Sequence, residues 1–265
     1  MSKVVLVTDA GSVVGSALAR ALADRSHWVF AGVDPQRPGY QAAMAGHAEY
    51  AQRHGRRLTG VALSLGDQRT TQQGVDAVIG RAGGVDVAVH VVEFDVAGPV
   101  ESFTAYQLAQ MFDWMVLRGQ RVSRAVLPSM RRRGSGQVVW VGLWSVAQGH
   151  GGDGLDRAWK AMSGHAVAGY AEDLSGLGVE VCDVTVAVGA GLVRPVLPDD
   201  RETAEAYGAW PGSGDAGLLG QQDEAEAAAI AEAVARLLAS SGGLPRRVQL
   251  DPASLDIRPG SPGAG

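Results

Sequence analysis

Two pairs of residues combine side-chain types that carry out acid–base or nucleophilic chemistry. Ser145 ends an apolar run and Lys160 follows in a helical stretch. A lysine amine in an apolar surrounding can act as an acid, a base or a Schiff-base nucleophile. His90 and Glu93 end another apolar run, where they could exchange a proton. The alternatives are structural: Ser145 ends a strand, Lys160 is an exposed helix residue, and His90 and Glu93 fill a rim.

Bulky tryptophans stand next to these candidates. Trp144 precedes Ser145, and Trp159 precedes Lys160. Their rings could stack on a flat ligand, or they could plug a vacant groove, and the sequence favours the plug. We take Ser145 and Lys160 as candidate catalytic residues. The candidate pocket, for a small aromatic or carbonyl ligand, is lined by His90, Glu93, Trp144 and Trp159.

A short loop near the N-terminus has the form of a phosphate-binding turn. The run "LVTDAGSVVGSA" passes from an apolar strand into an Ala/Leu helix pattern and contains Thr8, Gly11 and Gly15. Glycines in such a loop let the backbone approach a phosphate, and the helix N-terminus attracts it. Asp9 opposes this interpretation, because a carboxylate repels a pyrophosphate. Gly15 could instead serve only close packing of helix and strand.

Apolar β-branched runs alternate with longer helical patterns along the chain. The strands are predicted at residues 3–8, 27–33, 59–65, 85–92, 137–144, 179–188 and 246–250. Helices are predicted at residues 15–23, 40–53, 70–81, 105–130, 159–174 and 223–239. Strands that are apolar throughout are buried on both faces, as in a parallel sheet covered by helices. The pattern predicts an α/β fold: a Rossmann-like doubly wound sheet of about seven mainly parallel strands, with helices on both faces.

The predicted organisation is a single domain over residues 1–257. Residues 194–221 are rich in proline and glycine and form a lid-like insertion between a strand and a helix. Residues 258–265, "RPGSPGAG", are expected to be a flexible tail.

Bulk composition excludes several classes of function. The net charge of −5 disfavours nucleic-acid binding, and no apolar segment is long enough to span a membrane. The single cysteine, Cys182, excludes an internal disulfide and suits a reducing cytoplasm, where we expect the protein to be located. The six histidines are scattered without metal-ligand spacing, so no metal site is expected.

Nearly the whole chain, from Val4 to about Leu250, resembles a single-domain short-chain dehydrogenase/reductase. The stretches that carry the resemblance are "FDWMVLRGQRVSRAVLPSM" at 112–130, "GQVVWVGLWSVAQG" at 136–149 and "SGHAVAGYAEDLSGLGVEV" at 163–181. They resemble the family's long interface helix, its serine strand, and its active-site helix with the strand that follows. The resemblance implies NAD(P)-dependent hydride transfer, with Ser145 as the family serine.

The chain departs from the family along the cofactor groove. The family loop Thr-Gly-x-x-x-Gly-x-Gly becomes Thr8, Asp9, Val13 and Gly15, so two of its glycines are replaced. The family's Asn-Asn-Ala-Gly becomes "HVVE" at 90–93, and its helix asparagine becomes Met115. The Tyr-x-x-x-Lys pair is assigned to Lys160 and Gly164, which removes both the acid and its partner.

These departures predict that no NAD(P) binds or that it binds weakly through Thr8, Gly11, Gly15 and Asp34. Asp34 follows the second strand, where an acidic residue would hydrogen-bond an adenosine ribose and favour NAD over NADP. The alternative is a turn aspartate before Pro35.

Three functions remain open from the sequence. The first is a non-catalytic subunit that pairs with an active relative, as a homo- or hetero-oligomer through helices 105–130 and 159–174. The second is an atypical NAD(P)-dependent ketoreductase with a non-standard acid. The third is a repurposed non-redox enzyme, such as a cyclase, lyase or dehydratase, that uses the same pocket. The sequence favours the first.

Overall fold

The computed structural model describes residues 2–93, 95–145, 153–188, 192–193, 195–208, 223–240, 243–251 and 256–259. The strands are β1 Val4–Val7, β2 Trp28–Val33, β3 Leu58–Ala62, β4 Val87–Glu93, β5 Asp95–Val96, β6 Gly136–Ser145, β7 Val179–Val188, β8 Pro195–Val196, β9 Arg247–Asp251 and β10 Asp256–Pro259. The helices are α1 Val13–Asp24, α2 Tyr40–His54, α3 Gln68–Ala82, α4 Ala105–Phe112, α5 Arg118–Arg133, α6 Asp153–Asp173, α7 Arg201–Ala206 and α8 Glu224–Leu238. A π-helical segment, Asp113–Leu117, joins α4 to α5.

Among the described residues, eight strands form one sheet in the order β10-β9-β7-β6-β4-β1-β2-β3. The strands from β3 to β9 run parallel, and β10 pairs antiparallel to β9. The predicted doubly wound, mainly parallel sheet is confirmed. The antiparallel edge strand β10 was not predicted.

The direction of winding reverses between β1 and β4. The chain leaves β1 toward β2 and β3 on one side, and it continues from β4 toward β6 and β7 on the other. Open α/β sheets place ligands in the crevice at such a reversal, beyond the carboxyl ends of the strands. Thr8 follows β1 directly, and His90 and Glu93 lie in the second half of β4. The fold therefore brings these residues to the crevice.

Apolar side chains cover both faces of the sheet. On one face, strand valines pack with Leu18 and Leu22 of α1 and with Ile230 of α8. On the other face, Phe30 and Trp140 pack among residues from α3 and α5. Burial on both faces explains why the strands are apolar throughout rather than alternating. No helix among the described residues is long and apolar enough to cross a membrane.

The helix predicted over 105–130 extends from α4 through the π-helical segment to the end of α5. The wider turn was not predicted, and such turns are common at functional sites. Asp113 lies within it and binds Arg121 at 2.6 Å. Arg121 also donates a hydrogen bond to the Leu65 carbonyl oxygen at 2.8 Å, which attaches this segment to the end of β3.

The described part of the predicted insertion, residues 195–208, is attached to the domain. β8 pairs with β5, and Gln107 Nε2 donates to the Leu197 carbonyl oxygen at 2.9 Å. Residues 194 and 209–221 lie outside the described residues. Arg258 and Pro259 of the predicted tail belong to β10, whereas residues 260–265 are not described. The division into one domain, insertion and tail stays a prediction.

Candidate functional site

The loop between β1 and α1 carries an ion pair where a phosphate loop needs open space. Asp9 has φ +50°, in the left-handed region that glycine adopts easily, which agrees with the glycine of the resembled family. Its Oδ1 lies 2.8 Å from Arg37 Nη1. Arg37 crosses the loop so closely that a Cβ added to Gly11 would lie 2.9 Å from Arg37 Cδ. The Asp9–Arg37 pair thus covers the glycine loop.

Gly15 is needed for packing of the loop on its own helix. A Cβ at this position would lie 2.4 Å from the Asp9 carbonyl oxygen, which is backbone and cannot rotate away. Ser12 caps α1 by accepting a hydrogen bond from the Gly15 N–H at 3.0 Å. The packing alternative for Gly15 therefore accounts for this glycine without a ligand.

The carboxyl group of Glu93 lies against the N-terminus of α1. Burial raises the pKa of Glu93 to about 7, hydrogen bonding by the Ser12 hydroxyl and by the Gly15 N–H opposes that rise, and the charge of Asp9 adds to it. Helix N-termini bind anions because their N–H groups have no partner within the helix. In the resembled family this position is a glycine. Glu93 therefore takes the place of an anion with its own side chain.

These residues do not fit a dinucleotide in the observed arrangement. A pyrophosphate at the α1 N-terminus would meet the Glu93 carboxyl and the carboxylate of Asp9. Two like charges about 5 Å apart repel by roughly 3 kcal/mol at an effective dielectric constant of about 20. Arg37 offsets part of this repulsion, but its side chain occupies space above Gly11. Binding would require both Glu93 and Arg37 to move.

Thr8 is used inside the protein. Its side chain is fully buried, and its Oγ1 accepts a hydrogen bond from the Val91 N–H at 3.2 Å. The same oxygen lies 2.9 Å from Nδ1 of His90. Burial, with a smaller contribution from the charge of Arg118, lowers the pKa of His90 to about 3, so the imidazole is neutral at physiological pH. Thr8 orients His90 instead of facing a cofactor.

Asp34 forms the local turn that its position before Pro35 indicates. Its Oδ1 accepts a hydrogen bond from the Gln36 N–H at 3.0 Å, and its carbonyl oxygen accepts one from the Arg37 N–H, also at 3.0 Å. This turn sets the direction from which Arg37 reaches Asp9. A ribose-binding role for Asp34 stays a prediction.

The predicted pocket residues lie in two separate surroundings. His90 and Glu93 line a cavity of about 230 Å³ together with Asp9, Trp114 and Arg118. Trp144 and Trp159 do not line this cavity. They are buried in an apolar cluster that includes Phe103, Met111 and Met115 from the segment after β5. The two tryptophans therefore fill space among apolar side chains, and their role in the groove stays a prediction.

Lys160 lies beside this apolar cluster. Its Nζ is 4.9 Å from the centroid of the Trp144 ring, a cation–π contact. Ser145 is the last residue of β6 and pairs through its backbone with Val188. The side chain of Ser145 lies outside the described part of the chain, so its catalytic role stays a prediction. The structure thus places Lys160 next to the strand residue that precedes Ser145.

Gly164 lies one turn after Lys160 in α6, beside an ion pair of the sheet. A Cβ at Gly164 would lie 2.6 Å from Arg247 Nη2 and 3.4 Å from Asp183 Oδ2, beside the ion pair of those two residues. A side chain there would require the far end of Arg247 to move. The assignment of the family's Tyr-x-x-x-Lys to Lys160 and Gly164 stays a prediction.

Sequence reasoning missed Arg37 and Arg118 as site residues. Arg37 lies in an apparently ordinary turn, and only the position of Asp9 across the loop shows what it pairs with. Arg118 comes directly after the π-helical segment and reaches the cavity of His90 and Glu93. The sequence did contain one signal for Arg37: Asp9 is an acid in a glycine loop, and a buried acid needs a nearby cation. Among the described residues, no cluster of three or more His, Cys, Asp or Glu side chains could hold a metal ion.

Comparisons with known proteins agree with this fold and with the resemblance. Retinol dehydrogenase 8 from Bos taurus is 29% identical over 177 residues, which cover 65% of this chain and 53% of the relative. The chain thus spans about half the length of that curated relative. A short-chain dehydrogenase from Streptomyces avermitilis has a similar structure, with a TM-score of 0.71, 24% identity, and coverage of 96% of this chain and 90% of that chain.

A second solved structure shows the same fold with a bound nucleotide. The alcohol dehydrogenase from the archaeon Thermococcus sibiricus, complexed with 5-hydroxy-NADP, has a TM-score of 0.67 and 19% identity over 94% of this chain and 96% of that chain. The model of the family described as short chain dehydrogenase matches residues 3–156, more than half of the sequence. The chain belongs to the short-chain dehydrogenase family.

Proposed function

We propose that this chain has lost the family's hydride-transfer reaction and serves as a non-catalytic subunit that pairs with a catalytically complete relative. The observation that carries the proposal is the Glu93 carboxyl group at the N-terminus of α1, where a dinucleotide would place its pyrophosphate. The Asp9–Arg37 pair closes the same loop from the other side. An acid cannot assist hydride transfer when the hydride donor is not bound beside the substrate.

The residues that would carry proton transfer support the same function. With Lys160 at the place of the family tyrosine and Gly164 at the place of its lysine, both the proton donor and its partner are replaced. Losing a positioned general acid costs about 10²–10⁴ in rate. Trp144 and Trp159 are buried among apolar side chains, so the protein's own side chains fill the space near Lys160.

The outer face of α6 supplies the proposed contact with a partner. Three valines of α5 and α6 are buried in their own chain and are not available to a partner: Val122, Val126 and Val167. The exposed positions of α6 include three small ones, Ala158, Ala161 and Ala168, beside the polar Arg157, His165 and Glu172. Small side chains let a second helix approach closely and pack at short interaxial distance. We therefore assign the contact to α6 first and to the outer face of α5 second.

Calorimetric titration with NADH and NADPH tests the loss of cofactor binding. Wild type and Glu93→Gln, which keeps the side-chain volume, should both show no binding in the micromolar range. Glu93→Gly should gain at least tenfold in affinity, because it opens the α1 N-terminus. A low-micromolar dissociation constant for wild type would contradict the proposal and support the atypical ketoreductase.

Co-purification and light scattering test the partner role. Wild type should form a dimer or tetramer, or retain a catalytically complete relative when the two are co-expressed. Ala161→Glu should weaken that assembly, whereas Ala45→Glu on the exposed surface of α2 should leave it intact. A monomer in both assays would overturn the subunit role.

A second candidate is a repurposed non-redox enzyme, which the cation–π contact of Lys160 with Trp144 favours. A lysine held beside an apolar cluster is suited to carbonyl chemistry. This candidate requires that Lys160→Ala abolish the native activity while the melting temperature stays nearly unchanged. If the subunit role holds, Lys160→Ala leaves both the complex and its rate as in wild type.

A further inference from the structure

Helices α1, α2 and α8 enclose a groove on the outside of their helical layer. α1 forms its floor and runs from the end of β1 back toward the start of β2, so the groove extends to Arg25 and Glu232 at the opposite edge of the sheet from the strand ends. Its volume of about 570 Å³ lies within the range of about 300–1,000 Å³ that is usual for small-ligand sites. Alanine and glycine make up about half of its lining. The groove is therefore separate from the crevice of His90 and Glu93.

Arg20 lines this groove without a carboxylate partner among the described residues. Its Cζ lies 5.1 Å from the centroid of the Tyr50 ring, and a Cβ added to Gly46 would lie 3.9 Å from its Nη2. The guanidinium thus reaches from α1 to α2. Asp24, one turn later in α1, has the spacing of an ion-pair partner for Arg20. Asp24 is engaged elsewhere, because Oδ2 accepts from the Tyr50 hydroxyl at 2.7 Å and Oδ1 accepts from Arg56 Nε at 2.8 Å.

The other charges that line the groove favour a ligand with a single negative charge. Glu232 forms an ion pair with Arg25 at the lower end, so these two charges balance each other. Glu224 lies in the first turn of α8, where the positive end of the helix dipole favours an acid. A monoanion would balance the charge of Arg20. A dianion would in addition be repelled by Glu224.

Ser16 adds a second hydrogen-bond donor on the same face of α1. It lies one turn before Arg20 and also lines the groove. Arg20 is partly exposed while its Nε is buried, so the Nη nitrogens are the atoms that can meet a ligand. A carboxylate accepts hydrogen bonds through two oxygens, and it can therefore bind the guanidinium and the Ser16 hydroxyl together.

Small side chains next to this pair leave room for an apolar chain. Val13 and Ala17 belong to the floor, and Ala43 of α2 and Ala227 of α8 line the two sides. Between Arg20 and Val13, α1 rises by roughly 10 Å. This distance suits an aliphatic chain of medium length, whose burial against these side chains is favourable.

We propose that the groove between α1, α2 and α8 binds a monocarboxylate with an aliphatic chain of medium length. The carboxylate accepts hydrogen bonds from Arg20 and Ser16, and the chain lies along Val13, Ala17 and Ala43. This binding goes beyond the subunit role and does not depend on it, because it requires neither a dinucleotide nor a partner subunit.

Octanoate and octanamide, which share a chain and differ in charge, test the proposal by calorimetric titration at about pH 8. Octanoate should bind with a dissociation constant in the millimolar range or below, as expected for a small fragment. Octanamide should bind at least tenfold more weakly, because it leaves the charge of Arg20 unbalanced. Hexanoate should bind about tenfold more weakly than octanoate, since it buries two fewer methylene groups.

Two variants, each with a matched control, locate the binding. Arg20→Met should weaken octanoate binding at least tenfold, whereas Arg69→Met, at an exposed arginine of α3, should leave it as in wild type. Ala43→Leu fills the groove and should also weaken binding at least tenfold, whereas Ala45→Leu, on the exposed surface of the same helix, should not.

Absence of octanoate binding, or equal affinity for octanoate and octanamide, would overturn the proposal. An affinity that is unchanged in Arg20→Met or in Ala43→Leu would also overturn it, because octanoate would then bind somewhere else on the protein. Melting temperatures of the variants, measured alongside, establish that each one is folded. None of these outcomes bears on the cofactor titration or the co-purification.

Discussion

A methyl group on Gly15 would lie 2.4 Å from the carbonyl oxygen of Asp9. Gly15→Ala should therefore destabilise the protein without any ligand, by about 2–4 kcal/mol, as expected for strong overpacking against backbone. Chemical denaturation measures this loss.

Gly80→Ala in α3 is the matched control, because no atom lies within 4 Å of the added Cβ. It should stabilise the protein by about 0.5–1 kcal/mol, since alanine is the better helix former. An unchanged stability in Gly15→Ala would mean that the loop tolerates a side chain and that the glycine is retained for another reason.

Glu93 should make stability depend on pH in a defined window. Its pKa is about 7 in the folded protein and near its ordinary value of 4.5 when unfolded. The folded protein therefore holds the proton more tightly, so wild-type stability from this group falls as pH rises from 4.5 to about 7. Glu93→Gln removes this pH dependence. Its free energy of unfolding should therefore rise relative to that of wild type as pH increases through the window, by up to about 3 kcal/mol.

Thermal unfolding of both proteins at several pH values measures this difference. Glu172→Gln, on the exposed surface of α6, is the control and should follow wild type at each pH. A difference between Glu93→Gln and wild type that is the same at every pH would show that Glu93 is not desolvated in the folded protein.

Asp9 and Arg37 should be energetically coupled. Arg37→Met leaves the Asp9 carboxylate without its partner at 2.8 Å, whereas Asp9→Asn removes the charge that needs one. Because about a third of the Arg37 side chain is exposed (36%), we expect a coupling energy of only about 0.5–1.5 kcal/mol. A double-mutant cycle by denaturation measures it. Additive effects of the two substitutions would show that solvent screens the pair completely.

Lys160 should contribute little to stability. Its cation–π contact with Trp144 is worth about 0.5–1 kcal/mol at a partly exposed site, so Lys160→Met should lower the melting temperature by only a few degrees. Trp144→Ala should cost about 3–5 kcal/mol, because that ring is buried in an apolar cluster. Similar losses for both variants would mean that Lys160 makes a larger structural contribution than this contact accounts for.

The sheet could be predicted because each parallel strand is an uninterrupted apolar run. β2, for example, reads "WVFAGV" and is buried along nearly its whole length. The antiparallel strand β10 could not be predicted, since "DIRP" is short and carries polar residues at an edge. The π-helical segment could not be predicted either, because its wider turn hardly changes the spacing of apolar residues in the sequence.

The candidate site was predictable in its location and not in its contacts. His90 and Glu93 could be placed at the strand ends, since their positions after an apolar run fix them there. The approach of Glu93 to the α1 N-terminus could not be predicted, because it depends on the direction in which this side chain leaves β4 toward the loop after β1. The pairing of Asp9 with Arg37 joins residues from separate loops, so no local pattern in the sequence could indicate it.

Glu93 at the α1 N-terminus also constrains how the chain can evolve. Under the proposed function, we expect a glycine restored at position 9 or 13 alone to give no cofactor affinity while Glu93 occupies the site, so neither reversion would bring an advantage by itself. Removing Glu93 alone should restore only part of the affinity, because Asp9 still opposes a phosphate. The effect of a glycine at position 9 or 13 would then depend on whether Glu93 has changed first, which is epistasis that fixes the order of the steps back.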